Sequence, residues 1–137
     1  MSRNVQLYLQ DIVSCCAKVL RYTQGMTFEP FLADEIIYDA VARNLQIIGE
    51  SVKNVPQDMR DCVPEIEWRK IAGLRDILAH AYFQVEDEII WDVVQNKIQP
   101  LQEQVQQLLE NQFNDLFGLS ILAYFIFRIT FTPNAPV

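Results

Sequence analysis

One histidine stands in the whole chain, His80. It lies five residues after Arg75 and two before Tyr82, in the octet RDILAHAY. Any neutral-pH proton transfer by a side chain therefore has few places to occur. A guanidinium and an imidazole suffice for metal-free RNA cleavage. The 2′-hydroxyl of the RNA attacks the neighbouring phosphorus, so no external nucleophile is needed. Arg75 would neutralise charge on the phosphoryl oxygens through paired N–H donors. His80 would move a proton, an effect worth roughly 10²–10⁴ in rate. A single histidine does not easily serve as base and acid together, which favours two chains sharing a cleft or a slow enzyme.

The elements that must position these groups read as helices. Helical geometry makes Asp76 and His80 neighbours at i and i+4, so Asp76 is expected to support the imidazole. Arg75 lies about 140° round the helix and ~7.5 Å along it from His80. Tyr82 is about 200° round from His80. Arg75 and Tyr82 thus join a common site with His80 only near a helix end or across a dimer. The plain alternative is that His80 is a structural residue at a helix C-terminus, where imidazolium is favoured, and that Tyr82 is core.

The rest of the chain supplies the scaffold. At 137 residues, half of them apolar and only four glycine, it suits one packed helical domain. Val5, Leu9, Ile12, Val13, Cys16, Val19 and Leu20 predict an amphipathic helix over 4–23, ended by Gly25. Thr27 as N-cap and Pro30 in the first turn open a long helix running to Lys53, stopped by Asn54-Val55-Pro56. Residues 56–66, with Pro56 and Pro64, form a connector with at most a short helical turn. A third main helix spans 67–82. A fourth begins at the acidic turn Glu86-Asp87-Glu88 and is expected to kink or split at Pro100. The fold class is all-α: an antiparallel bundle of four, or up to five, helices with a kinked last helix.

The run LFGLSILAYFIF (116–127) is twelve residues without a charge. A bilayer span needs about 20 apolar residues, so this tail is expected to pack on the bundle, join two chains or lie at a membrane surface. Residues 1–112 form the helical domain and 113–137 an apolar extension. The first residues lack the apolar core of a signal peptide, so a cytoplasmic protein with reduced thiols is expected. Cys15, Cys16 and Cys62 make no metal spacing with His80; they and Trp91 read as packing residues, and neither metal nor cofactor is expected. The net charge of −7 opposes general nucleic-acid binding. Any RNA contact must be local, and Arg69 and Lys70 are the candidate cations.

The segments RNLQIIGESVKNVP (43–56), PEIEWRKIAGLRDILAHAYF (64–83) and IIWDVVQNKIQPL (89–101) give these residues a context. Together they resemble HepT-like toxins of the HEPN superfamily, in order and spacing, over about residues 4–110. The resemblance implies a homodimeric all-α bundle with a metal-independent ribonuclease site at the subunit interface. Arg75 and His80 match the R-x(4)-H pair, with Asp76 as the polar residue after the arginine. Tyr82 matches the tyrosine to which a minimal nucleotidyltransferase antitoxin adds AMP. Bulk and negative charge there would block RNA. Arg43, Asn44 and Glu50 lie in the family-like segment, either as a structural polar set near the third helix or in a direct role.

The function implied is that of a toxin in a type II or VII kind of toxin–antitoxin system, cutting cellular RNA, with tRNA among the candidates. The alternative from another class is a non-catalytic binding module complexed with a nucleotidyltransferase. A third possibility makes the tail a membrane-surface anchor.

Overall fold

The computed structural model describes residues 4–80 and 85–117, with side chains described as far as Gln112. Tyr82 and most of the apolar tail lie outside the described residues. The described residues form an all-α bundle, with no strand among them.

Helix α1 (Val5–Tyr22) is opened by Asn4, whose side-chain oxygen accepts the Gln6 N–H at 3.0 Å. Leu9, Ile12, Cys15, Cys16 and Val19 are buried along one face, as the three- and four-residue spacing predicts. At its end the Thr23 hydroxyl donates to the Val19 carbonyl at 2.8 Å. Gly25 then turns the chain at φ +74°, a left-handed conformation that favours glycine.

The single long helix expected from Thr27 to Lys53 is two helices. α2 (Phe28–Ala33) and α3 (Glu35–Lys53) are separated by Asp34, which is extended at φ −95° and ψ 92°. Its carboxylate accepts the Ile37 N–H at 3.0 Å, making Asp34 the N-cap of α3. Asp34→Ala removes that acceptor. We expect a loss of about 1 kcal/mol, read as a lower denaturant midpoint with unchanged slope; an unchanged midpoint would show that the cap contributes nothing.

Pro56 opens the short α4 (Gln57–Asp61). The Arg60 guanidinium fastens this connector by donating to the Val52 and Val55 carbonyls at 2.8 and 2.9 Å. The buried Trp68 indole N–H is shared between the Arg60 and Val63 carbonyls, at 3.1 and 3.0 Å, and so fixes the start of α5 (Trp68–Ala79). α5 stops three residues before the predicted end at Tyr82.

α6 (Asp87–Asp92) passes through a π turn, Val93–Lys97, into α7 (Ile98–Phe117). The departure expected at Pro100 therefore lies in the turn before it. A proline ring in a regular α-helix collides with the carbonyl four residues back, here that of Asn96. The wider π turn, closed by the Ile98 N–H on the Val93 carbonyl, changes the path of that carbonyl.

α1 packs against α3 and α7, and α5 lies on α3. Leu9, Ile12, Val41, Ile48, Val52, Ile98 and Val105 make the shared core. Trp91 meets Phe31 and Phe28, with ring centroids at 4.9 and 6.3 Å, so α2 covers α6. Tyr38 donates to the Asp87 carboxylate at 2.6 Å, and burial together with that bond pushes its phenol up to about 12.

Cys15 and Cys16 are buried, and desolvation pushes the Cys16 thiol up to about 12. Cys62 is exposed, contrary to its reading as a packing residue; it falls at the C-cap of α4, where its thiol donates to the Asp58 carbonyl. No helix of the described residues is long and apolar enough to cross a membrane.

Candidate functional site

The site is built where α5 crosses α3. Gly49, inside α3 about one turn before its end, has no side chain to hold the helices apart. A Cβ there would overlap the Arg75 Cβ and stand 3.0 Å from both the Arg75 Cγ and the Ile71 carbonyl oxygen. Glycine inside a helix costs about 1 kcal/mol relative to alanine. Here the bare backbone is what lets the root of Arg75 lie directly against α3.

The next residue, Glu50, receives that arginine. Arg75 Nε donates to Glu50 Oε2 at 3.0 Å, and Nη1 donates to Asp76 Oδ1 at 3.1 Å. The same Asp76 oxygen accepts a bond from Lys53 Nζ, one turn further along α3. Gln46 adds a weaker contact, its amide donating to the Leu78 carbonyl at 3.4 Å. Gln46, Gly49, Glu50 and Lys53 thus form one stripe at helical spacing, and it faces α5.

Two cations and two carboxylates alternate through this cluster, Glu50–Arg75–Asp76–Lys53. The Lys53 hydrogen bond, followed by that from Arg75, holds the Asp76 carboxyl below its ordinary value. A lowered carboxyl pKa stabilises the fold above the unfolded-state value, and that contribution is lost as pH falls through the folded one. All four side chains are partly exposed, so solvent screens the pairs and their energetic contribution is modest.

His80 is the C-cap of α5. Its backbone has left the helix, at φ −105° and ψ 105°, and its N–H reaches the Ile77 carbonyl at 3.3 Å. The residue is exposed. This corrects the expected Asp76–His80 pairing: the Asp76 carboxylate is engaged by Lys53 of α3 and by Arg75 instead, and the imidazole makes no hydrogen bond among the described residues. The structure therefore joins Arg75 to Asp76 and places His80 at the end of the same helix.

Arg69 and Lys70 are exposed on the first turn of α5, and Lys70 pairs with Glu67 at 3.4 Å. They stand about 9 and 7.5 Å before Arg75 along the helix axis, outside the charge cluster. Asn44 is buried and donates to the Ala40 carbonyl at 2.7 Å, a structural bond. Arg43 is exposed.

Lys53 carries no sequence signal of its own for this role, and Glu50 takes the structural one of the two roles open to it. The available signal was the glycine inside a helix, with Gln46 and Lys53 at helical spacing on the same face. Among the described residues, no group of three or more His, Cys, Asp or Glu is placed to hold a metal.

An all-α bundle with an arginine braced between two helices, and a histidine ending one of them, defines the class. Residues 12–108 match the family described as "Ribonuclease HepT-like". A Thermococcus cleftensis protein named "Probable ribonuclease HepT" is 40% identical over 108 residues, covering 79% of this chain and 98% of its own. A candidate RNase of Methanocaldococcus jannaschii is 38% identical over 80% of this chain and 90% of its own length. A further candidate RNase, from Caldanaerobacter subterraneus subsp. tengcongensis, is 38% identical over 77% and 94%. No solved structure matches. The chain belongs to the HepT-like ribonuclease family.

Proposed function

We propose that the protein is an endoribonuclease toxin that cuts cellular RNA by metal-independent transesterification. The observation that carries this is the bracing of Arg75 by Glu50 on the helix that ends at an exposed His80, in a HepT-like chain. The RNA 2′-oxygen would form a bond to phosphorus while the bond from phosphorus to the 5′-oxygen breaks. His80 would take the 2′-hydroxyl proton or deliver one to the departing 5′-oxygen. Arg75 would stabilise the charge on the phosphoryl oxygens. The products are a 2′,3′-cyclic phosphate and a 5′-hydroxyl.

One imidazole per chain leaves one proton transfer unassigned. A homodimer with two histidines in one cleft supplies both. The domain 1–112 would form that dimer, with 113–137 as an appended segment; the family match stops at residue 108.

Neutralisation would come from a minimal nucleotidyltransferase that uses ATP to add AMP at Tyr82, two residues from His80. The added phosphate would repel RNA at close range. Co-expression with such a partner is expected to raise the intact mass by whole AMP units in wild type and not in Tyr82→Phe. Equal adducts in both proteins would place the modification elsewhere.

The acidic net charge of −7 favours a second possibility, a binding module that complexes the nucleotidyltransferase without cutting RNA. Incubation of the purified protein with labelled RNA in a chelator separates the two, since only the nuclease shortens the RNA.

A further inference from the structure

One oxygen of Asp76 accepts hydrogen bonds from two cations on two helices, Arg75 Nη1 of α5 and Lys53 Nζ of α3. A guanidinium and an ammonium converging on one oxyanion oxygen form a donor set that suits a phosphate. We propose that Arg75 and Lys53 together form the phosphate-binding subsite for RNA, and that Asp76 occupies it in the free protein and is displaced when RNA binds. This rests on the ribonuclease function proposed above and adds Lys53 as a substrate-contacting residue.

The geometry allows the exchange without moving a helix. Asp76 is half-exposed, and rotation about its own side-chain bonds carries the carboxylate into solvent. Arg75 keeps its place meanwhile, because its Nε stays bound to Glu50 and its root stays against Gly49. A phosphodiester offers two non-bridging oxygens, one for each cation, where Asp76 now uses a single oxygen for both. The arrangement also explains how an acidic chain accepts RNA. The cluster is neutral in the free protein, and displacement of Asp76 leaves Arg75 and Lys53 facing one remaining carboxylate, Glu50, so the site alone turns net positive.

Binding of a short fluorescent 2′-O-methyl oligoribonucleotide, which lacks the attacking hydroxyl, tests this in chelator between about 50 and 200 mM salt. Lys53→Met is expected to weaken binding about five- to tenfold at the lowest salt. Its log–log salt slope should be shallower by about 0.7, one phosphate contact on a single strand. Lys97→Met, on the π turn and paired with Glu67 at 3.9 Å, removes the same charge and should leave the slope unchanged. Asp76→Asn, which removes the competing anion, is expected to tighten binding by about threefold.

A Lys53→Met slope equal to that of wild type overturns the proposal, as does weaker binding by Asp76→Asn. Cleavage of unmodified RNA by wild type is scored beside each series. Normal cleavage with an unchanged Lys53→Met slope removes only the two-cation subsite. A wild type that neither binds nor cuts removes the ribonuclease function as well.

Discussion

His80→Ala is expected to lower RNA cleavage by about 10²–10⁴-fold while leaving the protein folded. The two halves of that expectation come from different observations. The catalytic half follows from the chain holding one imidazole, placed at the end of the helix that carries Arg75. The folding half follows from exposure. His80 caps α5 through its backbone, which alanine keeps, and its ring makes no hydrogen bond among the described residues. Surface changes of this kind usually stay within about 0.5 kcal/mol. Growth arrest on expression should disappear with cleavage. Full cleavage by His80→Ala would move the chemistry to another group. Unaltered toxicity without cleavage by either protein would favour the binding module.

Gly49→Ala is expected to destabilise the protein by about 1–3 kcal/mol, the range for forcing extra volume into a packed contact. The sign is what makes this informative. Glycine to alanine inside a helix ordinarily stabilises, by up to about 1 kcal/mol. At Gly49 the added methyl meets the Arg75 Cβ and the Ile71 carbonyl, both fixed by the α5 backbone, as well as the Arg75 Cγ. α5 must shift outward, and Arg75 shifts with it, so cleavage should fall even at temperatures where the variant remains folded. Gly73 provides the comparison within the same pair of helices. A Cβ built there has nothing within 4 Å, so Gly73→Ala should follow the ordinary helical trend. Thermal or denaturant melts of the two variants should therefore diverge in opposite directions. A Gly49→Ala protein as stable as Gly73→Ala would mean that the two helices are not in the close contact described.

The periodic helices were legible because burial follows the repeat directly. α1 and the end of α3 fall where their apolar stripes and the Gly25 and Asn54-Val55-Pro56 stops place them. The break at Asp34 was hidden, since Phe31, Leu32, Ile36 and Ile37 continue an apolar pattern across it. Thr27 and Pro30 also offered an earlier start. The N-cap signal was nevertheless present, because aspartate is a strong capping residue.

The octet showed which side chains could do chemistry, but spacing along one helix could not show which face of α3 it would meet. Asp76 illustrates the consequence. Its natural partner by sequence is His80; by structure it is Lys53, 23 residues away. The reason is tertiary: Lys53, brought in by the packing of α3 on α5, converges with Arg75 on one Asp76 oxygen. Glu50, read as one member of a polar set near the third helix, does meet α5, and Gly49 beside it marks the close approach of the two helices.

The central claim, that Arg75 and His80 cut RNA without a metal, is tested most directly by the end groups of the product. Purified wild type with labelled RNA in excess chelator should yield 2′,3′-cyclic phosphate and 5′-hydroxyl ends by mass spectrometry, and His80→Ala should yield neither above background. Ends of the opposite kind, a 5′-phosphate with a 3′-hydroxyl, would contradict it, as would cleavage that stops when divalent ions are removed.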